Sequence, residues 1–330
     1  MDWLPVALVI GLALIFAFTN GFQDASNSIA IVVATGSLSP RLAVTMAATL
    51  GLGGAFLGEG LARRFGLAII DPPAGGLGLR IIGAALVAAI VWDLVTWWFG
   101  MPASSTQALI GGLTGASLAA GTTVLWSGIW RDVALPMLLS PVAGLVLAYL
   151  GMRVLIRVAG DLARRRVGPD MRRAQVAAAG AVALGNGLQD AAKTMGVILL
   201  VLTVSGHQLG PGVPWEVMVG AAVAMALGTY AGGWRIVRTL GRRIISPAPD
   251  PAQGTVAQSA TAGIQYLAGA LYAPVSSTHT VTAAIVGAGL TGRRSAIRWD
   301  VITQVVAVWL VNFPATVALS ALLCTVALAL

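Results

Sequence analysis

Asn20-Gly21-Phe22-Gln23-Asp24-Ala25-Ser26-Asn27-Ser28 returns later in the chain as Asn186-Gly187-Leu188-Gln189-Asp190-Ala191-Ala192-Lys193-Thr194, each time amid long apolar stretches. A second motif is duplicated with it: Pro102-Ala103-Ser104-Ser105-Thr106-Gln107 comes back as Pro274-Val275-Ser276-Ser277-Thr278-His279. The spacing is similar in the two copies, 81 residues from Asp24 to Ser105 and 87 (190 to 277) from Asp190 to Ser277. Paired polar breaks at corresponding places in two hydrophobic halves point to a transport site built where internal repeats meet.

Working outward, the apolar stretches set the solvent. Of the 330 residues 57% are hydrophobic and 10% charged, far below the roughly quarter charged of soluble domains, so the chain belongs in a bilayer. Runs long enough to cross it as helices cover Trp3 to Phe18, Leu42 to Leu61, Ile81 to Phe99, Ala134 to Leu155, Val217 to Trp234 and Val301 to Leu323. Shorter runs, Ala108 to Trp126, Ala174 to Leu188, Thr194 to Val204, Thr261 to Ala273 and Thr280 to Leu290, read as spans, half-helices or hairpin arms. Length alone thus gives about 10–12 membrane segments. The runs are continuous and Gly-rich rather than alternating, which excludes a transmembrane barrel and gives an all-α polytopic membrane protein. Met1-Asp2-Trp3 leads straight into the first run without a basic n-region, so the first span is expected to be retained.

The net charge of +8 does not point to nucleic acid, because the arginines collect in loops as the positive-inside rule expects. The densest cluster is Arg153, Arg157, Arg164, Arg165, Arg166, Arg172 and Arg173. It divides the chain into a first repeat (1–152), a basic cytoplasmic linker (153–173) and a second repeat (174–330). Arg235 to Arg243 and Arg293 to Arg298 are compatible with the same side. The lone Cys324 allows no disulfide or metal framework within one chain.

A carboxylate inside a membrane is costly and is retained for ion or substrate handling, which singles out Asp24 and Asp190. Asn-Gly before each and small residues after each suggest helices that unwind to offer carbonyls to a ligand; the alternative is a polar surface loop. The Pro-x-Ser-Ser-Thr segments read as helix starts, with proline in the first turn and hydroxyls beside free backbone N–H groups. Such an end suits an oxyanion, and two of them brought together would cradle a small tetrahedral one. Asp24 and Asp190 then serve a co-transported Na⁺ or H⁺, or accept from a protonated phosphate. Lys193 stands where the first copy has Asn27, and either pairs with Asp190 or the substrate or snorkels to headgroups. Asp93 either relays protons or holds neighbouring helices. His207, in a loop-like Ser-Gly-His-Gln stretch, is expected to be solvated.

These residues resemble the inorganic phosphate transporter (PiT) family. The match runs through Asn20 to Ala30, Gly100 to Leu109, Gln189 to Gly196 and Pro274 to His279, in family order. The resemblance implies a multi-pass symporter of the plasma (inner) membrane with two inverted-topology repeats, re-entrant helical hairpins and broken helices, working as a homodimer. Carried over by matching position, substrate binding falls to Asp24, Ser104, Ser105, Thr106, Asp190, Lys193, Ser276, Ser277 and Thr278, and the coupling cation to Asp24, Asn27 and Asp190. No cofactor and no metal beyond Na⁺ is implied, and the partners are inorganic phosphate, the coupling cation and the lipid bilayer. Three positions depart from the family: Gln23 replaces Asn or His, Gln189 replaces Asn, and Gln107 replaces His. The Asp190-Ala191-Ala192-Lys193-Thr194 form is similar to bacterial members and favours H⁺ over Na⁺.

Sulfate is the rival cargo, being small and tetrahedral as well, but at neutral pH it has no proton to donate to Asp24 or Asp190. An intramembrane serine hydrolase with His279 as base leaves the first Ser-Ser-Thr copy without a job and lacks a G-x-S-x-G elbow. A passive anion channel differs from a carrier in that no gradient drives accumulation.

Overall fold

Apolar runs without alternation must satisfy their backbone internally, and the chain does so as helices. The computed structural model describes residues 3–67, 69–166, 169–207, 210, 212–246, 249–292 and 296–329. The first half contains α1 (Trp3–Ala34), α2 (Pro40–Ala55), α3 (Glu59–Leu67), α4 (Gly76–Trp98), α5 (Ser105–Ala119), the short α6 (Trp126–Gly128) and α7 (Leu135–Arg166). A π-helical turn, Ile129–Ala134, joins α6 to α7. The second half contains α8 (Pro169–Asn186), α9 (Ala192–Val204), α10 (Trp215–Ala231), α11 (Trp234–Arg238), α12 (Pro251–Ala270), α13 (Ser277–Gly289) and α14 (Trp299–Ala329). The only pairing of extended backbone among the described residues is two isolated bridges, Ile70 with Val124 and Ile245 with Ile297.

The halves repeat one order: a long helix carrying the Asp motif, a bent pair, an outer hairpin arm, a short inner arm, and a long last helix with an internal proline, Pro141 in one and Pro314 in the other. Among the described residues five helices are long and apolar enough to cross a membrane, or seven with each bent pair as one span. The bends are 70° between α2 and α3, and 56° between α10 and the segment Trp234–Arg243. The broken helices therefore lie here and not at the Asp motifs. α1 runs unbroken through Asp24, and the runs Ala174 to Leu188 and Thr194 to Val204 are parts of one 36-residue span. Within that span the second motif forms a π-helical turn, Gly187–Ala191, a local widening that frequently marks functional sites.

The motif glycines have a different purpose from unwinding. A Cβ on Gly21 would stand 2.1 Å from the Met225 carbonyl oxygen of α10, and one on Gly187 would stand 2.0 Å from the Gly51 carbonyl oxygen of α2. Each Asp-bearing helix thus crosses the bent pair of the other half at backbone contact distance, which only glycine permits.

The packing is reciprocal throughout. α1 lies chiefly against α10, and α8 against α2 and α12. The inner arm α5 packs on α14 of the other half, and α13 packs on α7. The central span Pro169–Val204 has 89% of its most apolar window buried, against 22% for Trp299–Ala329 and 28% for Trp126–Val158. The last helices accordingly present Leu138, Leu139, Val142, Leu310 and Leu322 outward, as helices facing lipid do.

Of the segment 153–173, residues up to Arg166 belong to the end of α7 and those from Pro169 to the start of α8; residues 167 and 168 and the side chains of Arg164, Arg165 and Arg166 lie outside the described residues, as do Arg293 and Arg294. Met1 and Asp2 lie outside them too. The Pro-rich stretch ahead of α12 begins the helix: Asp250 and Gln253 form a reciprocal capping box, with Pro251 at the first helical position. His207 is half-buried with its ring 4.0 Å from that of Trp3, so the expectation of a solvated loop histidine is corrected.

Candidate functional site

Both inner arms start inside the protein. Ser104 is the N-cap of α5 and accepts from the Gln107 N–H at 3.3 Å, and Ser276 caps α13 by accepting from the His279 N–H at 3.3 Å. The prolines expected in the first turn stand two residues before these caps, so the first turns present Ser105 and Thr106, and Ser277 and Thr278, instead. All six hydroxyl residues are at most 3% exposed. The chain reaches each start through a left-handed residue, Gly100 at φ 67° and Tyr272 at φ 52°.

Glutamines and other side chains hold these starts in place. Gln23 donates from Nε2 to the Ala103 carbonyl at 3.4 Å, while Gln189 Oε1 accepts from the Val275 N–H at 3.3 Å. The longer amide found at both motifs is therefore a tie between each Asp helix and the entrance to its own half-helix. From the other half, α14 sends Asn312 Nδ2 to the Ser104 carbonyl at 2.9 Å and to Gln107 Oε1 at 3.1 Å, and Trp309 Nε1 to the Pro102 carbonyl at 3.0 Å. His279 does not repeat the Gln107 role: its ring lies 4.0 Å from that of Trp309.

The two motifs meet at Asp24. Its Oδ1 accepts from Asn27 Nδ2 at 3.0 Å and from Thr278 Oγ1 at 2.9 Å, the second donor coming from the other half. Asn27 Nδ2 also reaches Thr278 Oγ1 at 3.2 Å. Asp24 Oδ2 lies at the 3.5 Å limit from Ser105 Oγ, whose single hydrogen has its shorter acceptor in Asn20 Oδ1 at 2.8 Å. In the second copy Lys193 Nζ donates to Asp190 Oδ1 at 2.6 Å, with both side chains 1% exposed. This removes the snorkelling alternative for Lys193, which is among the largest fully buried side chains.

Asp24 and Asp190 line one small closed cavity of about 10 Å³ together with Ser28, Asn186 and Thr229, roughly the space one water needs. Several buried polar atoms of the motifs and of α4 make no hydrogen bond within the described protein: Thr106 Oγ1, Ser277 Oγ, Asp190 Oδ2, Thr194 Oγ1, Asn20 Nδ2 and both oxygens of Asp93. Each orphan costs stability, so those carried by the motif residues are the ones a ligand could satisfy. A much larger cavity of about 410 Å³ opens between the last helices and is lined by Trp126, Trp130, Met137, Leu310 and Phe313, with Gln107 and His279 as its polar members. Apolar walls cannot replace the hydration of a small anion, so the polar site is the one that counts for an ionic cargo.

Of the residues singled out from sequence, Asp24, Asn27, Ser105 and Thr278 touch directly, and Asp190 and Lys193 form a pair beside them. Ser104 and Ser276 act as caps, and the hydroxyls of Thr106 and Ser277 remain without protein partners. Sequence reading passed over Asn20, Asn186 and Gln265. Asn186 donates to the Asp24 carbonyl at 3.3 Å and accepts from Gln265 Nε2 at 2.7 Å. The asparagines lie within the duplicated motif, and Gln258 and Gln265 are amides seven residues apart, two helical turns on one face of α12, which is the signal that could have found them.

A family model described as the phosphate transporter family matches residues 20–320, taking in both copies of both motifs. The chain is 41% identical over 319 residues to a "probable low-affinity inorganic phosphate transporter" of Rhizobium meliloti (strain 1021), covering 95% of this chain and 94% of that one. It is 34% identical to the protein of the same description from Bacillus subtilis (strain 168), covering 96% and 95%. For the one from Mycobacterium tuberculosis (strain ATCC 25618 / H37Rv) the identity is 39%, over 93% of this chain and 74% of that one. In fold it is similar to a solved structure described as "The sodium-dependent phosphate transporter", with a TM-score of 0.86 over 99% of each chain at 20% identity. With the matched span containing the Asp motifs, the hydroxyl-bearing helix starts and the apolar helices between them, the chain belongs to the phosphate transporter family of multi-pass membrane proteins.

Proposed function

We propose that this protein takes up inorganic phosphate across the plasma membrane by symport with H⁺ or Na⁺, binding the anion where the two halves meet. The observation that carries this reading is the convergence on Asp24 of a hydroxyl from each half-helix start, Ser105 from one half and Thr278 from the other. An anion bound there has the N-terminal turns of α5 and α13 as donors, with Ser104, Ser105, Thr106, Ser276, Ser277 and Thr278 lining the two ends. Asp24, Asn27 and Asp190 supply the coupling-cation position, and a monoprotonated phosphate can donate its own hydrogen to a carboxylate. Transport requires this buried site to open alternately to each side, and the bends between α2 and α3 and between α10 and α11 are the natural places for that motion.

Sulfate keeps the same shape without the hydrogen, so Asp24 discriminates against it. The test is uptake of labelled phosphate and labelled sulfate by proteoliposomes, each with and without a pH or Na⁺ gradient. Accumulation of phosphate above equilibrium under one gradient, with sulfate at background, is the expected result. Equal handling of both anions, or phosphate flux that no gradient concentrates, refutes the reading.

A further inference from the structure

The two copies of the site are alike in architecture and unlike in charge. In the first copy Asp24 faces a neutral amide at the position three residues on, Asn27 Nδ2 at 3.0 Å; in the second, Asp190 faces a full ammonium there, Lys193 Nζ at 2.6 Å. A second difference lies on the outer hairpin arms. Asp93 of α4 and Gln265 of α12 each stand twelve residues before the first serine of their inner arm (93 to 105, 265 to 277). Gln265 donates to Asn186 at 2.7 Å, whereas both oxygens of Asp93, like the Nδ2 of Asn20, the counterpart of Asn186, are buried without a protein partner. Asp93 lies within electrostatic reach of Asp24 and Lys193, and Asp24 within reach of Asp190 and Lys193. Among the described residues, then, Asp190 has an ammonium in direct contact, whereas no cationic side chain is hydrogen-bonded to Asp24 or Asp93.

Resting on the phosphate-symport reading and narrowing its cation position, we propose that Lys193 is a tethered replacement for one of two cations that the duplicated architecture is built to hold, and that the exchangeable coupling cation binds only on the first-half side, beside Asp24 and Asn27. A buried carboxylate without a countercharge is strongly unfavourable, and the two copies solve this differently. The second carries its cation covalently, three residues along the same helix. The first takes its cation from solution, with the oxygens of Asp24 and the unpartnered Oδ1 of Asn27 offering hard ligands to Na⁺ or a resting place for a proton. Each phosphate is then accompanied by one cation fewer than a site with two exchangeable positions would demand.

Lys193→Asn tests this by making the second copy resemble the first. Phosphate uptake into proteoliposomes is measured at fixed pH in N-methylglucamine medium and over a Na⁺ series, alongside the Na⁺-induced shift in thermal unfolding of the purified protein. The expected result is uptake reduced by at least about tenfold without Na⁺, restored by saturable Na⁺, together with a Na⁺-dependent thermal shift larger than wild type's. Wild-type rates with wild-type ion dependence overturn the proposal, and so does a folded variant that no Na⁺ concentration restores, since the ammonium is then an anion ligand. Two further variants keep the test open if Lys193→Asn folds poorly. Lys193→Met, which offers no oxygen, is expected to lose uptake without Na⁺ rescue, and wild-type uptake by it overturns the proposal. Asp190→Asn/Lys193→Asn, which removes the pair together, is expected to transport several-fold better than Asp190→Asn alone, and equal loss in both overturns the proposal. Asp24→Asn separates the two levels: uptake that survives it discards the underlying site, while its loss beside an indifferent Lys193→Asn discards only the present inference.

Discussion

Ser277→Ala isolates the contribution of one hydroxyl to anion binding with little effect on the fold. The Ser277 hydroxyl is buried and makes no hydrogen bond within the described protein, so its removal costs the folded state nothing and relieves an orphan group worth about 1 kcal/mol or more. Should it donate to a charged phosphate oxygen, its loss removes about 1.5–3 kcal/mol of binding, roughly 10- to 150-fold in Kd. Ser105→Ala at the corresponding place behaves differently, because that hydroxyl already donates to Asn20 at 2.8 Å, with Asp24 at 3.5 Å as its alternative acceptor. It is expected to lower both stability, by about 1 kcal/mol, and phosphate affinity. Titration of purified protein with phosphate in detergent, paired with thermal unfolding, reads both quantities. The reasoning is refuted if Ser277→Ala keeps wild-type affinity, or if it lowers the unfolding temperature as much as Ser105→Ala does. The two effects on affinity should also be non-additive in a double-mutant cycle, since both hydroxyls are assigned to one ligand.

Asp24→Asn and Asp190→Asn should each abolish gradient-driven phosphate accumulation while the protein still elutes as a folded species, since an amide keeps the shape but lacks the negative charge that balances a cation; near-normal accumulation in both removes the carboxylates from the mechanism. Gly187→Ala places a Cβ 2.0 Å from the Gly51 carbonyl oxygen and should destabilise by about 1–3 kcal/mol or more, whereas Gly11→Ala, with nothing within 4 Å, should leave the unfolding temperature unchanged or slightly raised. Thr278→Val removes the donor that the second half sends to Asp24 at 2.9 Å and should weaken phosphate binding by about 1.5–3 kcal/mol, read by the same titration; unchanged affinity would mean that the two halves do not share the ligand.

What the sequence made legible was what duplication and hydropathy encode. Long apolar runs with few charges announced membrane helices, and recurrence of Asp24 as Asp190 and of Ser105 as Ser277 located the polar centre before any coordinates. Backbone path was not legible. Asn-Gly followed by small residues reads as an unwinding signal, yet Gly21 and Gly187 are set by the approach of Met225 and Gly51, residues distant in sequence. Pairing across the halves was hidden for the same reason: no local pattern tells that Thr278 reaches Asp24 or that Asn312 holds the Ser104 carbonyl. Gln23 and Gln189 could be seen to depart from the family pattern, but that each ties down the entrance to a half-helix needed the geometry.

The exchange of last helices, α5 lying on α14 and α13 on α7, bears on how the protein is made. As the chain leaves the ribosome, the first 150 or so residues contain a complete copy of every motif, yet α5 then has only α4 to pack on, because Ser320 reaches the Gly112 carbonyl at 2.6 Å and Asn312 secures Ser104 only once 299–329 have been inserted. Early helices must therefore wait in the bilayer as loosely associated spans, open to quality-control proteases, until the final segment closes the structure. Truncation before Trp299 should for that reason destabilise the amino-terminal half as well as the carboxy-terminal one. Two separately expressed halves, by contrast, should recover a working protein only when they are present in the same membrane.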